Sequence, residues 1–451
     1  MKKWLKRIGL AILVLLIVLI GYVAVFEFPK LELISGFSAK SLASGHFIDS
    51  RSVEQVAAED NDIDLVRLAN LTLNESSKTA VADVFGFKRR TALYRPGLGA
   101  MLIDDTFDQK APYLVPKRVQ PELTAPYPYG NREAEPVKFE NIDYERLQKA
   151  VDWAFDKPGE KKQRSRAVLV LYKDKLIAEK YAPGFNKDSK ILGWSMTKSI
   201  TATYYGILEK QGKLKISDPA PVAAWKQDER KAITLADLLH MNSGLEWEEN
   251  YSEISDATRM LFQSRDMTRV QAEKPLTGKI NSSFNYSSGT SNLLSGIIRQ
   301  QFNSHQEYLD YWYSALIDRI GMYSMLVETD MAGNYVGSSY GWATARDWAK
   351  FGLLYLRKGN WNGDRLFDES WYNFVRTPTN GSDGKYGGHF WLNAGGRYPS
   401  APSDLFSCNG YQGQMVTIIP SKDLVIVRMG LTEEGVFDFN YLLGEISKAI
   451  K

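Results

Sequence analysis

Ser195-Met196-Thr197-Lys198 carries a Ser-x-x-Lys spacing. A serine hydroxyl attacks a carbonyl well only when a base takes its proton, and a neutral lysine amine can be that base. Residues three apart share one face of a helix, so on a helix the two side chains can meet. A helix start also supplies free backbone N–H groups and the positive end of the dipole. The plainer reading is an N-cap, since serine is favoured at helix starts. The same spacing recurs at Ser382–Lys385, in a Gly-rich turn with no helix to hold the geometry.

Two further stretches fit the same chemistry. Asn285-Tyr286-Ser287-Ser288-Gly289 precedes an apolar helical pattern, which places Tyr286 and Ser288 in a turn. A tyrosine beside a lysine can shuttle protons, because a neighbouring cation favours the phenolate. Cys408-Asn409-Gly410-Tyr411-Gln412-Gly413-Gln414 leads into a strand. Glycines there let backbone approach a substrate, and an edge N–H can complete an oxyanion hole, although an ordinary strand-leading turn would look alike. Other reactive types read as structural. His240 lies on an apolar helix as a hydrogen-bonded residue, and Cys408 is a small strand residue with no His or Asn pattern around it. The Glu246-Trp247-Glu248-Glu249 run reads as a solvated loop. His389, in an aromatic-rich stretch, is both a structural residue and a candidate substrate contact.

The elements that must hold these residues are visible in the patterning. Apolar, β-branched runs at 167–172 and 176–181 are separated by Lys173-Asp174-Lys175, the spacing of a short hairpin. Helical patterns follow at about 195–211, 234–242, 288–303, 305–320 and 343–358. The chain closes with strand-like Met415–Ile419 and Leu424–Met429, then an amphipathic helix from about Phe437. A hairpin, a helical middle and a returning strand pair imply a mixed α/β fold, its largely antiparallel sheet flanked by helices. Residues 30–120 are a mixed accessory segment with short apolar runs, and the Pro- and Tyr-rich 124–130 reads as a linker.

Composition and the N-terminus limit partners and compartment. With 56 basic and 53 acidic residues the net charge is +3, so no strong field favours nucleic acid. One cysteine allows no intramolecular disulfide and no multi-cysteine metal site, and the four histidines form no HExxH pattern. Lys2, Lys3, Lys6 and Arg7 precede an apolar run from Ile8 to about Phe26. As a helix that run spans about 28 Å, close to the hydrocarbon thickness of a bilayer. It exceeds an ordinary signal-peptide core and offers no clean small-residue cleavage site, so an uncleaved anchor is expected, with a cleaved signal as its rival. Basic residues stay in the cytoplasm, which places the rest of the chain outside it.

In their order and spacing, Ser195-x-x-Lys198, Tyr286-x-Ser288 and Gly410-x-x-Gly413-Gln414 resemble the serine hydrolases related to class C β-lactamases. Within that group the chain is most similar to the esterase and 6-aminohexanoate-oligomer hydrolase branch. Asp237–Leu245 and Ala343–Gly352 are similar to landmark segments of the family, and the resemblance spans about residues 140–450. It implies a β-lactamase/transpeptidase-like fold with a helical subdomain. It further implies Ser195 as nucleophile, Lys198 as base and Tyr286 as proton relay. Ser288 takes the place of the β-lactamase Asn, and the N–H groups of Ser195 and Tyr411, the latter beside Gly410, form the oxyanion site. Tyr251 resembles a substrate-side Tyr of the oligomer hydrolases, or else serves packing.

The departures bear on substrate. β-Lactamases and penicillin-binding proteins carry Lys-Thr-Gly where this chain has Cys408-Asn409-Gly410, so the cation for a β-lactam or D-alanyl carboxylate is missing. Ser288 lacks the amide donor that would recognise an acyl side chain. Both argue against efficient β-lactam hydrolysis and leave acyl transfer intact. The expectation is a cytoplasmic tail at 1–7, a single-pass anchor of the cytoplasmic membrane at 8–27, an accessory segment and linker at 28–139, and a serine hydrolase domain at 140–451 on the periplasmic side. It would cleave a small ester or amide without metal or cofactor. A D-alanyl peptidase or β-lactamase, and an idle scaffold of the same fold, are the alternatives.

Overall fold

Within the strand Ser165–Tyr172 the residues from Ala167 on are apolar without alternation, as a strand must be when both faces of its sheet are covered. In the computed structural model, which describes residues 2–159, 162–433 and 435–451, it lies inside a six-stranded sheet. Met1, first residue of the expected basic tail, lies outside the described residues. The strands run in the order Trp391–Leu392, Phe406–Gly410, Gln414–Ile419, Leu424–Gly430, Ser165–Tyr172 and Lys175–Tyr181, and every neighbouring pair is antiparallel. The returning strand pair and the first strand of the expected hairpin therefore lie inside the sheet, and the hairpin's second strand, Lys175–Tyr181, is its edge. On one face Val168, Val170, Leu424 and Ile426 pack with Leu147, Val151, Leu442 and Ile446 of the helices Tyr144–Trp153 and Phe439–Ala449. On the other, Leu169, Leu171, Val416, Val425 and Val427 meet the helices Met196–Lys210 and Ala345–Leu356. A small sheet of Ile191–Leu192, Gly341–Ala343 and Leu326–Val327 leads the chain into the first of those helices.

The chain divides into two units that do not follow the sequence. One holds the residues up to Tyr94 together with Ala100–Gln109 and Asn250–Ser264; the other holds Arg95–Gly99, Lys110–Glu249 and Arg265–Lys451, and so carries the six-stranded sheet. In the first unit the helix Lys30–Asp49 packs on a four-stranded sheet ordered Ala69–Asn74, Thr79–Val84, Phe87–Arg95, Gly99–Ile103. Arg90 reaches Glu32 at 2.8 Å, and Phe37 meets Phe262 of the helix Asp256–Gln263 edge to face at 5.7 Å. Sequence patterning did not resolve this helix and sheet. The helix Lys2–Tyr22 continues through a π-helical turn, Val23–Glu27, towards Lys30. Its large apolar residues from Trp4 to Phe26 are exposed, and this is the one helix among the described residues that is long and apolar enough to cross a membrane.

Candidate active site

Ser195 stands where the strand Ile191–Leu192 turns into the helix Met196–Lys210. Trp194, just before it, adopts φ 47°, a left-handed conformation that costs a non-glycine residue about 1–2 kcal/mol. Thr197 holds that conformation by donating both its amide (3.0 Å) and its hydroxyl (2.7 Å) to the Trp194 carbonyl. The Trp194 ring packs edge to face on Tyr411 at 5.5 Å. Ser195 itself is already helical, with φ −63° and ψ −7°, and its hydroxyl makes no capping bond. Ser195 therefore stands at the N-cap position without capping the helix through its side chain, and its hydroxyl lies beside Lys198 instead.

Lys198 is buried one turn along the helix. Its Nζ lies 2.9 Å from Ser195 Oγ, 2.9 Å from Ser288 Oγ and 3.0 Å from the Ser338 carbonyl. Burial lowers its pKa to about 8, opposed by the negative charge of Glu249. The Tyr286 ring lies 4.9 Å from Lys198 Nζ. Burial, with Glu249, pushes the Tyr286 phenol far above its ordinary value, while the neighbouring Ser195 side chain weakly favours its phenolate. This corrects the expectation that the nearby lysine would favour the phenolate: desolvation wins, and Tyr286 holds its proton. Its ring is fixed between Tyr386 and Trp391, at 5.7 and 5.3 Å.

Ser288 lies inside the helix Ser288–Arg299 as its first residue, not in the turn before it, and Ser287 is the N-cap. Its amide donates to Glu249 Oε2 at 2.8 Å and its hydroxyl donates to Glu249 Oε1 at 2.5 Å. Trp247 Nε1 donates to the same Oε2 at 2.5 Å. The acidic run is therefore no uniformly solvated loop. Glu246 and Glu248 are exposed, while Trp247 is buried and Glu249 half-buried. Side chains alternate along extended backbone, so a tryptophan anchored at 247 puts position 249 on the same inward side. That alternation is the signal through which the sequence could have disclosed Glu249.

Gly410 ends the strand Phe406–Gly410 against the turn that carries Ser195. A Cβ there would collide with the Gly193 carbonyl oxygen, so only glycine permits the approach. The next turn is left-handed at Gln412 (φ 59°) and Gly413 (φ 79°). Buried Arg428 donates to both of their carbonyls, at 3.2 and 2.9 Å. Tyr411 is thereby fixed beside Trp194. Tyr251 lies in the segment Asn250–Ser264 of the other unit.

The remaining candidates are structural. His389 Nδ1 and Nε2 pair with the Leu239 carbonyl (2.6 Å) and Ser291 Oγ (2.9 Å), and Ser199 donates to its backbone carbonyl. Burial lowers its pKa to about 3 and leaves it clamping three helices rather than meeting a substrate. His240 pairs with Thr379 at 3.0 Å, and burial lowers its pKa to about 4. Burial pushes the Cys408 thiol up to about 12, which suits a strand residue and not a nucleophile. Among the described residues, no group of three His, Cys, Asp or Glu side chains is placed to hold a metal.

Comparison with known proteins matches residues 151–445, about two thirds of the chain, to the family model described as Beta-lactamase. Similar solved structures include a Bacillus anthracis protein assigned as a 6-aminohexanoate-dimer hydrolase, at 20% identity and TM-score 0.57. It covers 74% of this chain and 88% of its own. A family VIII carboxylesterase follows at 13% identity and TM-score 0.55, covering 70% of this chain and 100% of its own. A penicillin-binding protein homologue from Caulobacter crescentus shows 15% identity and TM-score 0.54, covering 70% and 99%. At these identities the likeness is one of fold.

Proposed function

The chain belongs to the Beta-lactamase family, whose β-lactamase-related serine hydrolases share its fold, and from that premise we propose that it hydrolyses a small ester or amide through an acyl-enzyme on Ser195. The observation that carries this reading is the 2.9 Å approach of a buried Lys198 amine to the Ser195 hydroxyl. Neutral Lys198 takes the hydroxyl proton as Oγ bonds to the acyl carbon. The oxyanion rests on the N–H groups of Ser195 and Tyr411. As the bond to the leaving oxygen or nitrogen breaks, Tyr286 gives that atom its phenolic proton and is reprotonated from Lys198. Water then attacks the acyl carbon by the reverse course, releasing the acid and restoring Ser195. With no cation where Lys-Thr-Gly would supply one, a substrate carboxylate is not gripped there, which disfavours D-alanyl peptides and β-lactams. The N-terminal helix anchors the enzyme, with its hydrolase unit outside the cytoplasm.

The test treats the full chain, in detergent micelles, with a fluorophosphonate and records intact mass. One adduct on the native chain that is lost in Ser195→Ala is the expected result. No adduct on folded protein would favour the idle scaffold, and an adduct surviving in the variant would mean that another serine is the nucleophile.

A further inference from the structure

Proton bookkeeping at Lys198 leads outward to a residue with no assigned part. A carboxylate accepts hydrogen bonds and donates none. The Ser288 hydroxyl therefore gives its one proton to Glu249 Oε1, at 2.5 Å, and can only accept from Lys198, at 2.9 Å. The Ser338 carbonyl, 3.0 Å from Nζ, also only accepts. A neutral lysine amine has two protons and one lone pair. With both protons claimed by Ser288 and Ser338, the lone pair must face the third neighbour, Ser195 Oγ at 2.9 Å. Remove the carboxylate, and the Ser288 hydroxyl can turn its proton on Lys198 instead, drawing the lone pair away from Ser195.

Glu249 is held for this task. Trp247 Nε1 and the Ser288 amide both donate to Oε2, so Oε1 is presented to the Ser288 hydroxyl. The Ser288 amide is the first N–H of the helix Ser288–Arg299, where a negative charge is favoured. The Trp247 ring lies against Gly289, where a Cβ would collide with it. Of the other titratable groups near Lys198, His389 is kept neutral by burial and Tyr286 keeps its proton.

We propose that Glu249 is a positioning residue: by claiming the Ser288 proton it aims the Lys198 lone pair at the Ser195 hydroxyl. This rests on the reading of Ser195 as nucleophile and Lys198 as its base. Glu249 touches neither the nucleophile nor the reacting carbonyl in this account, and it acts only through Ser288.

The second-order rate of fluorophosphonate labelling of Ser195, measured against pH on the full chain in micelles, tests the proposal without a known substrate. In that reaction the Ser195 oxygen bonds to phosphorus, fluoride leaves and Lys198 takes the proton. In Glu249→Gln the amide oxygen must stay with the Trp247 and Ser288 N–H donors, so its NH2 faces the Ser288 oxygen and cannot accept. The substitution is therefore expected to lower the high-pH plateau by about 10–10²-fold, the scale of misaligned reacting groups. It should also move the midpoint below that of the native chain, because Lys198 loses its negative neighbour. Ser288→Ala should lower the plateau similarly and leave the midpoint in place, since the charge of Glu249 remains. The double variant should fall no further than the worse single one, as residues acting in series do. A Glu249→Gln plateau within twofold of native, or multiplied losses in the double variant, overturns the proposal while the Ser195 reading stands. Should Glu249→Gln not fold, an undiminished plateau in Ser288→Ala overturns it alone. A native chain that does not label at Ser195 overturns both.

Discussion

At the scale of single residues, the site turns on where one proton sits. Lys198 is buried, and its pKa is lowered from 10.5 to about 8 because a buried ammonium loses its hydration. Below that value the amine is protonated and cannot accept from Ser195; above it, the lone pair is available. Hydrolysis of a small ester should therefore rise about tenfold per pH unit up to about pH 8 and level off above it. Initial rates between pH 5 and 10, on a substrate that does not itself titrate there, check this. A flat profile from pH 5 to 9 would remove Lys198 as the base. Tyr286 faces the opposite way: burial and the charge of Glu249 keep its phenol protonated across the same range. In the proposed reaction the roles of base and acid are thus separated by environment, which lowers the one pKa and raises the other.

At the scale of elements, the site depends on backbone meeting backbone. The strand Phe406–Gly410 reaches the Ser195 turn only because Gly410 has no side chain to strike the Gly193 carbonyl. If Tyr411 N–H serves the oxyanion as proposed, Gly410→Ala should push it outward and lower ester turnover by about 10²–10³-fold. The melting temperature should fall by only a few degrees, because one half-buried turn moves while the core stays packed. Turnover within twofold of the native chain would mean that Tyr411 does not serve the oxyanion. Such close approaches explain what patterning could disclose. The hairpin expected at 167–172 and 176–181 forms at Ser165–Tyr172 and Lys175–Tyr181, because the first run is apolar enough to be covered on both faces and the short polar break lets the half-buried second strand fold back along it. The Ser195 helix was equally plain. The helix Lys30–Asp49 was not, since it buries Ser35, Gly36, Ser38, Ala39, Ala43 and Ser44 as well as leucines, leaving no apolar stripe to read. Glu249 is hidden by its neighbours: two exposed glutamates make the run look solvated, and the inward turn of position 249 shows only in the alternating burial of 246–249.

At the scale of the whole molecule, the exposed residues between Ile8 and Phe26 set where the chain can exist. Leaving that many large apolar side chains in water would cost roughly tens of kcal/mol, whereas a bilayer core removes the cost. The net charge of +3 adds no strong attraction of its own, so attachment through this helix should survive high salt. The full chain made in a bacterial host is expected in the membrane fraction, resistant to alkaline extraction and released by detergent. Its intact mass should still include residues 1–27. A charged residue at the centre of a spanning helix costs about 2.5–3.5 kcal/mol on insertion scales. Leu15→Arg combined with Val18→Arg should therefore shift much of the chain out of the membrane fraction. With the proposed orientation, protease added outside spheroplasts should digest the hydrolase unit and spare the basic tail, since basic residues beside a spanning helix favour the cytoplasmic side. A soluble product beginning after about residue 27 would show that the segment is cleaved. The anchor would then give way to a released hydrolase, with the Ser195 chemistry unchanged.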